Sequence, residues 1–509
     1  MHTRKYLVVL TSAIWLVLAN VAQAAPVNPK VIHLLNRLSL GIRPGEIEQV
    51  QQLGVDKYIQ QQLNPDSIAE PAILTDRLSK LDTINLSPVE LFQRYNPNRK
   101  VDIQSPTPGD KKIQQQQTRL VTNQAIEARL WRSIYSQRQL NEVMVDFWYN
   151  HFNVYADKGI DKLWVGAYEQ QAIRPYAVGK FRDLLGATAR HPAMLFYLDN
   201  WRNSVPNPNK KGKSQGLNEN YARELMELHT LGVDGGYKQD DVVALAKILT
   251  GWGFKQPGQK VPDGYSFQFN SDRHDFSNKT FLNQSIIGSG IGEGEQALDL
   301  LSRNPSTARQ ISFKLAQYFV TDNPPKSLID KLSKRFIASD GNIKLVLDTL
   351  FHSPEFWDAK YYGTKFKTPY QYAVSSIRST GTELTNPKVL NDFLKQQGMP
   401  LYGCPTPNGY KNTQDAWLNP DSLTRRINYA TNLAKGKLPV SASITTAPNS
   451  PLPIQASLPD RIAVSVVDPL KLAATLGNNF SVQTQQSIAS SNPDIRAALI
   501  LGSPEFMKR

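Results

Sequence analysis

Three carboxylates, an arginine, a histidine and two amides crowd one stretch of this chain, Asn218-Glu-Asn-Tyr-Ala-Arg-Glu-Leu-Met-Glu-Leu-His229. At about 100° per residue, a helix here puts Asn220, Arg223, Glu224 and Glu227 on one polar stripe and Tyr221, Leu225 and Leu228 on an apolar one. Asn218 or Asn220 can cap that helix and Gly232 can end it. Glu224 and Glu227, with Asn220, offer oxygen ligands on one face. A histidine from another segment (His151, His191 or His274) would complete a divalent-metal site. The metal-ligand candidates are therefore Glu224, Glu227 and His191. The spacing is not that of H-E-x-x-H, whose histidines share a helix face. Arg223 and Glu227 are four apart, within salt-bridge reach, and a buried ion network of Arg223, Glu224 and Glu227 explains the same residues without a ligand.

The other candidates are scattered. His151, at a helix end in Asp146-Phe-Trp-Tyr-Asn-His-Phe152, can serve as acid, base or ligand near neutral pH, or simply hydrogen-bond a carbonyl. Glu224, Glu227 and His151 form the catalytic set. Asn218, Asn220, Arg223, Trp252 and His274 form the substrate-binding set, with His274 as the candidate for a mobile lip. Glycoside cleavage would need one protonated and one ionised acid across a cleft. Glu219, Asp199 and Asp240 add acids, and Trp148, Trp201 and Trp252 could stack on sugars or fill the core. Gly288-Ser-Gly-Ile-Gly-Glu-Gly294 lacks the strand and lysine of a phosphate loop and reads as a flexible loop.

These residues must be positioned by helices. Apolar residues recur at helical spacing from Asn28 to Leu63 and from Arg119 to Phe152, the latter as one long helix or two with a break. The same pattern returns in several segments between Asp161 and Thr380, then in Leu423–Lys435 and beyond Asp468. Ser87 to Gln117 breaks into Pro, Asn, Lys and Gln and reads as a surface excursion. Only Lys255 to Ile287 has strand character, with Tyr265, Phe267 and Phe269 alternating. The expected fold is mainly α: a large multi-helix single domain with a minor β-hairpin element. Residues 25–437 would form the main domain and 438–467 a Pro/Ser/Ala-rich linker. Residues 468–509 would be a C-terminal helical segment packed on the main domain.

The first residues read as a secretory signal. Arg4 and Lys5 precede an apolar run from Tyr6 to Ala19, and Ala22-Gln-Ala24 is a cleavage site. A periplasmic or secreted protein is expected, without a transmembrane segment after cleavage. Cys404 is the single cysteine, so no intrachain disulfide can form and packing must supply stability. The formal net charge of +14, two of it from Arg4 and Lys5, favours anionic partners. With no basic run or nucleic-acid motif, an envelope polysaccharide or another polyanion fits better than nucleic acid.

Several motifs occur in order: Phe147-Trp-Tyr-Asn-His-Phe152, His191-Pro-Ala-Met-Leu-Phe-Tyr-Leu-Asp-Asn200, the Asn218–His229 stretch, Thr250-Gly-Trp252, and Asn304-Pro-Ser-Thr-Ala308 followed by Lys314-Leu315. Together they resemble the bacterial family called domain of unknown function 1800, over roughly residues 31–509. The resemblance implies an exported protein, often encoded beside another exported protein that is a candidate partner, and it implies no activity. The family's Gly-Trp-Pro segment is represented here only by Pro407-Asn-Gly-Tyr-Lys411 and Trp417. Two functional readings follow. One is a scaffold or binding protein acting at the cell envelope on a polyanion or partner protein. The other is a secreted hydrolase, assisted by a metal or not, with its site on the central helix.

Overall fold

The computed structural model describes residues 27–96, 108–205, 216–255, 266–440 and 466–509. The signal segment, most of the 438–467 linker, and residues 97–107 of the polar excursion fall outside them. Twenty-three α-helices and two two-stranded antiparallel sheets make the described chain mainly α. None of these helices is long and apolar enough to cross a membrane.

A continuous apolar core runs from Val31 in the first helix, Pro29–Leu38, to Met507 near the C-terminus. Helix Pro305–Phe319 packs on Lys326–Ala338, which packs in turn on Ile343–Phe351. At the C-terminal end, Pro493–Leu501 packs on Pro420–Ala434. Two short echoes of sequence, Ser353-Pro-Glu-Phe356 and Ser503-Pro-Glu-Phe506, adopt the same turn. In each the serine hydroxyl accepts from the phenylalanine N–H, at 3.3 and 3.1 Å, and the phenyl ring enters the core.

The long helical region is two helices, Pro108–Tyr135 and Gln139–His151. The break is held by outside partners. The Gln137 N–H donates to Glu70 Oε2 (3.3 Å) and the Leu140 N–H to Gln62 Oε1 (3.0 Å), so these freed backbone groups stay satisfied. The excursion after Ser87 needs correction. Pro88–Tyr95 is a helix with a complete capping box, in which Ser87 and Glu90 hydrogen-bond each other's backbone. Ser-Pro-x-Glu is a helix start whose local signal outweighs the polar residues that follow.

The β element is two ribbons rather than one hairpin. Trp252–Phe254 pairs with Phe267–Phe269, and Lys279–Phe281 with Gln284–Ile286. The first buries Trp252 against Gly294, where an added Cβ would lie 2.0 Å from the indole Cζ2. Gly294, in the first turn of helix Ile291–Arg303, therefore meets a packing requirement. Gly294→Ala is expected to cost about 1–3 kcal/mol, as overpacking of a rigid core does. Gly292→Ala, in the same helix, meets only Ser289 Oγ at 3.5 Å and should be neutral or slightly stabilising. Urea unfolding of the pair checks this, and equal stabilities would refute it.

Candidate functional site

The central helix forms over Asn220–Glu227, with the Asn218 side chain accepting from the Asn220 N–H (3.0 Å). The chain then turns, and Gly232, at φ +86°, closes back onto Met226 O. Its polar stripe does not form the anticipated network. Arg223 pairs with Glu219 (3.1 Å), one turn back, and with Gln239 rather than with Glu227, and Gln239 also donates to Glu219 (2.8 Å). Glu227 accepts only a long bond from Tyr237 OH (3.4 Å). Burial and the neighbouring Glu227 push the Glu224 carboxyl up. Asn220 is exposed and donates to Leu198 O. Among the described residues, no group of three or more His, Cys, Asp or Glu is arranged to hold a metal ion.

The histidines separate. His191 caps helix Pro192–Tyr197 by accepting from the Ala193 N–H, and burial lowers its pKa to about 3. His274 is not on a mobile lip. It is sealed between Thr250 and Glu293, with Nε2 2.9 Å from Glu293 Oε1 and Nδ1 2.8 Å from Thr250 O. Lys279 binds the other Glu293 oxygen at 2.6 Å, so the carboxylate is neutralised inside the fold. Trp252, 1% exposed, is part of the core.

His151 is different. Its Nε2–H donates to His229 O (3.1 Å), the carbonyl partner expected of a buried histidine. Its Nδ1 accepts from the Lys314 ammonium (3.0 Å), which also reaches Leu228 O at 3.4 Å. Burial, then Lys314, hold His151 neutral, well below its ordinary range. Burial alone brings Lys314 down to about 8. Lys314 has no ion pair with a carboxylate among the described residues, yet remains partly open at the wall of a cleft of about 350 Å³.

Segments far apart in sequence build that cleft. Asn150 clamps the Asn408-Gly-Tyr410 loop, its Nδ2 donating to Tyr410 O and its Oδ1 accepting from Tyr410 N–H, both at 2.7 Å. Gly409, at φ +70°, passes so close to Asn150 that a Cβ would lie 2.2 Å from its carbonyl oxygen. Asn150, Gln317, Asn408, Asn412, Tyr410 and Thr413 supply the polar lining, and Lys411 is an exposed cation on it. Phe147 and Tyr318 form an apolar patch, with ring centres 5.3 Å apart.

An ion network from a different part of the sequence underlies the cleft. Arg129 binds Asp146 (2.6 Å) and Glu169 (3.2 Å). Arg174 binds Glu169 (3.0 Å) and Glu142 (2.5 Å). Glu169 belongs to a π-helical turn, Glu169–Ile173, and also accepts from Tyr402 OH at 2.8 Å. Burial opposes its charge, but Arg129, Arg174 and Arg132 together hold its carboxyl below the usual range. Asp146 lines the cleft floor, and there burial outweighs Arg129 and raises its pKa. Lys314, Asn150 and the Arg129 network carry no short-range spacing signal. Only the polar residues inside an apolar helical stripe hinted at them.

A family model described as protein of unknown function (DUF1800) matches residues 33–508. The chain belongs to that family. No curated protein and no solved structure matches it. The cleft therefore joins two motif regions of the DUF1800 chain, Phe147–Phe152 and Pro407–Lys411, with Lys314 from the segment after Asn304-Pro-Ser-Thr-Ala308.

Proposed function

We propose that this chain is an exported envelope protein whose His151–Lys314 cleft binds an acidic, polyhydroxylated ligand such as a segment of anionic polysaccharide. One observation carries the reading: the Lys314 ammonium faces the cleft without a carboxylate, among amides and hydroxyls suited to sugar hydroxyls. The aromatic patch of Phe147 and Tyr318 gives a sugar ring a face to lie on. The signal segment and the positive net charge agree with a polyanion as the partner.

Isothermal titration of the mature protein with uronate-containing and neutral oligosaccharides tests this. Acidic oligomers should bind, neutral ones should bind about ten-fold more weakly or not at all, and Lys314→Met should lose about the same factor. Affinity should fall as pH rises through about 8, where the Lys314 charge is lost. Lys314→Arg should keep its affinity across that range, since a guanidinium stays charged. Equal binding of neutral and acidic oligomers, or wild-type affinity in Lys314→Met, would sink the reading.

A second reading is catalytic and is favoured by the low Lys314 pKa. An amine that is neutral near pH 8, hydrogen-bonded to a neutral imidazole, is a competent base. On a uronate it would remove the proton α to the carboxylate. The C4–O bond then breaks, a C4=C5 double bond forms, and the departing oxygen takes a proton from Tyr410 or water. Cleavage by a carboxylate pair has less support, because Asp146 is the one carboxyl among the described lining residues and it is engaged by Arg129. Ultraviolet absorbance of the unsaturated product distinguishes elimination from binding alone.

A further inference from the structure

A second cavity, of about 520 Å³, lies between the first helix and the C-terminal segment. Its walls are mostly apolar and include Ile32, Ile42, Leu476, Phe480 and Phe506. Lys367, 4% exposed, is also in its lining. The Lys367 ammonium donates to Ser375 Oγ (3.1 Å) and sits 3.9 Å from the centre of the Phe506 ring. It has no ion pair with a carboxylate among the described residues. Glu505, the acid on this cavity, is held by Ser481 and Thr484.

Further cations stand behind Lys367. An isolated antiparallel bridge between Phe366 and Lys508 lays residues 365–367 beside 507–509, which brings Lys365, Lys367 and Arg509 together. Arg426 Nη2 donates to Lys367 O at 3.0 Å, and Arg37 lies beside Arg509 and Lys365. Arg37, Arg426 and Arg509 are all buried, and Nε and Nη1 of each lack an acceptor. Each uses only its Nη2, on a backbone carbonyl. The nearby Asp322 is taken by Lys365 and the Gln414 N–H. Burial and the charges of Arg426 and Arg509 lower Lys367 to about 7. A fold seldom keeps this much unpaired buried positive charge; of the four cations only Lys367 lines the cavity, where an anion could meet it directly and lie in the field of the others.

We infer that this cavity is a second ligand site, in which Lys367 receives a compact oxyanion, carboxylate or phosphate, carried on an apolar body that fills the wall formed by Leu476, Phe480 and Phe506. The site is separate from the His151–Lys314 cleft and stands or falls independently of it.

Calorimetric titration of the full mature chain uses octanoate, octyl phosphate, octanol and inorganic phosphate as probes. Saturable binding of one or both alkyl anions is expected, octanoate marking a fatty-acid-like ligand and octyl phosphate a phospholipid-like one. Octanol and inorganic phosphate should each bind about ten-fold more weakly or not at all. Lys367→Met should abolish the preference for the anion over octanol. Leu476→Trp, which fills the cavity without touching a charge, should block both alkyl anions. Binding of neither anion, octanol equal to octanoate, or an unchanged preference in folded Lys367→Met would each overturn the inference. If Lys367→Met does not fold, the Leu476→Trp result decides: wild-type binding there refutes the site.

Discussion

Replacing Arg129 with methionine is expected to lower the unfolding free energy by about 3–5 kcal/mol, the cost of removing one partner from a buried ion network. Methionine fills much the same volume, so the loss reports charge rather than a cavity. Among the described residues Arg129 is the only guanidinium bound to Asp146 and one of two bound to Glu169, and all three side chains are buried. It also lies between the rings of Tyr149, Tyr370 and Tyr402, at 5.1–5.4 Å from their centres. Without it Asp146 becomes an uncompensated carboxyl on the cleft floor, and Glu169 keeps only Arg174. Adding Asp146→Asn should recover part of the loss, because the two residues share one interaction. Urea unfolding of the single and double variants measures this. A loss under about 1 kcal/mol, the range of an exposed pair, would show that the network is solvated and unimportant.

The second large effect has the opposite sign. Asp161 is fully buried, and both carboxylate oxygens lack a hydrogen-bond partner. Burial, with Asp199 nearby, raises its pKa well above the usual value despite Lys158, which is committed to Asp199 at 2.9 Å. A carboxyl whose pKa rises on folding favours the folded state fully below the unfolded value of about 3.9, and that contribution is lost as pH rises. At neutral pH Asp161 is therefore a cost. Asp161→Asn, which cannot ionise, is expected to stabilise by about 1–3 kcal/mol at pH 7, the scale of an unsatisfied buried polar group. The gain should vanish below about pH 4, where the wild-type carboxyl is protonated folded or unfolded. A variant less stable than wild type at both pH values would mean that Asp161 has an unrecognised partner, and the argument would fail.

The same rule explains why some site residues were legible in the sequence and others were not. The Asn220–Glu227 helix and its apolar face follow from local periodicity, and the Asn218 and Gly232 signals mark its ends. Periodicity also places Arg223 beside both Glu219 and Glu227, four residues to either side, and cannot choose between them. The folded chain pairs it with Glu219. His151 was conspicuous because a histidine among aromatics at a helix end is unusual. Its partner, Lys314, lies 163 residues away on another helix, as one lysine among many. His274 sits between charged chain neighbours, Arg273 and Asp275, yet the group that holds it is Glu293, from a later helix.

The sequence by itself determined most of the helices, because a period near 3.6 in apolar residues, with Pro, Asn and Ser at the starts, is a local property that each segment carries alone. It also determined the absence of a disulfide, the sign of the net charge and the family. Only the tertiary structure decided which polar residues meet. It joined Asn150 to Tyr410, His151 to Lys314, Arg129 to Asp146 and Glu169, and Lys367 to Arg426 and Phe506. Those pairings depend on how helices cross and on which charges lose their water. Neither is encoded in the spacing of neighbouring residues.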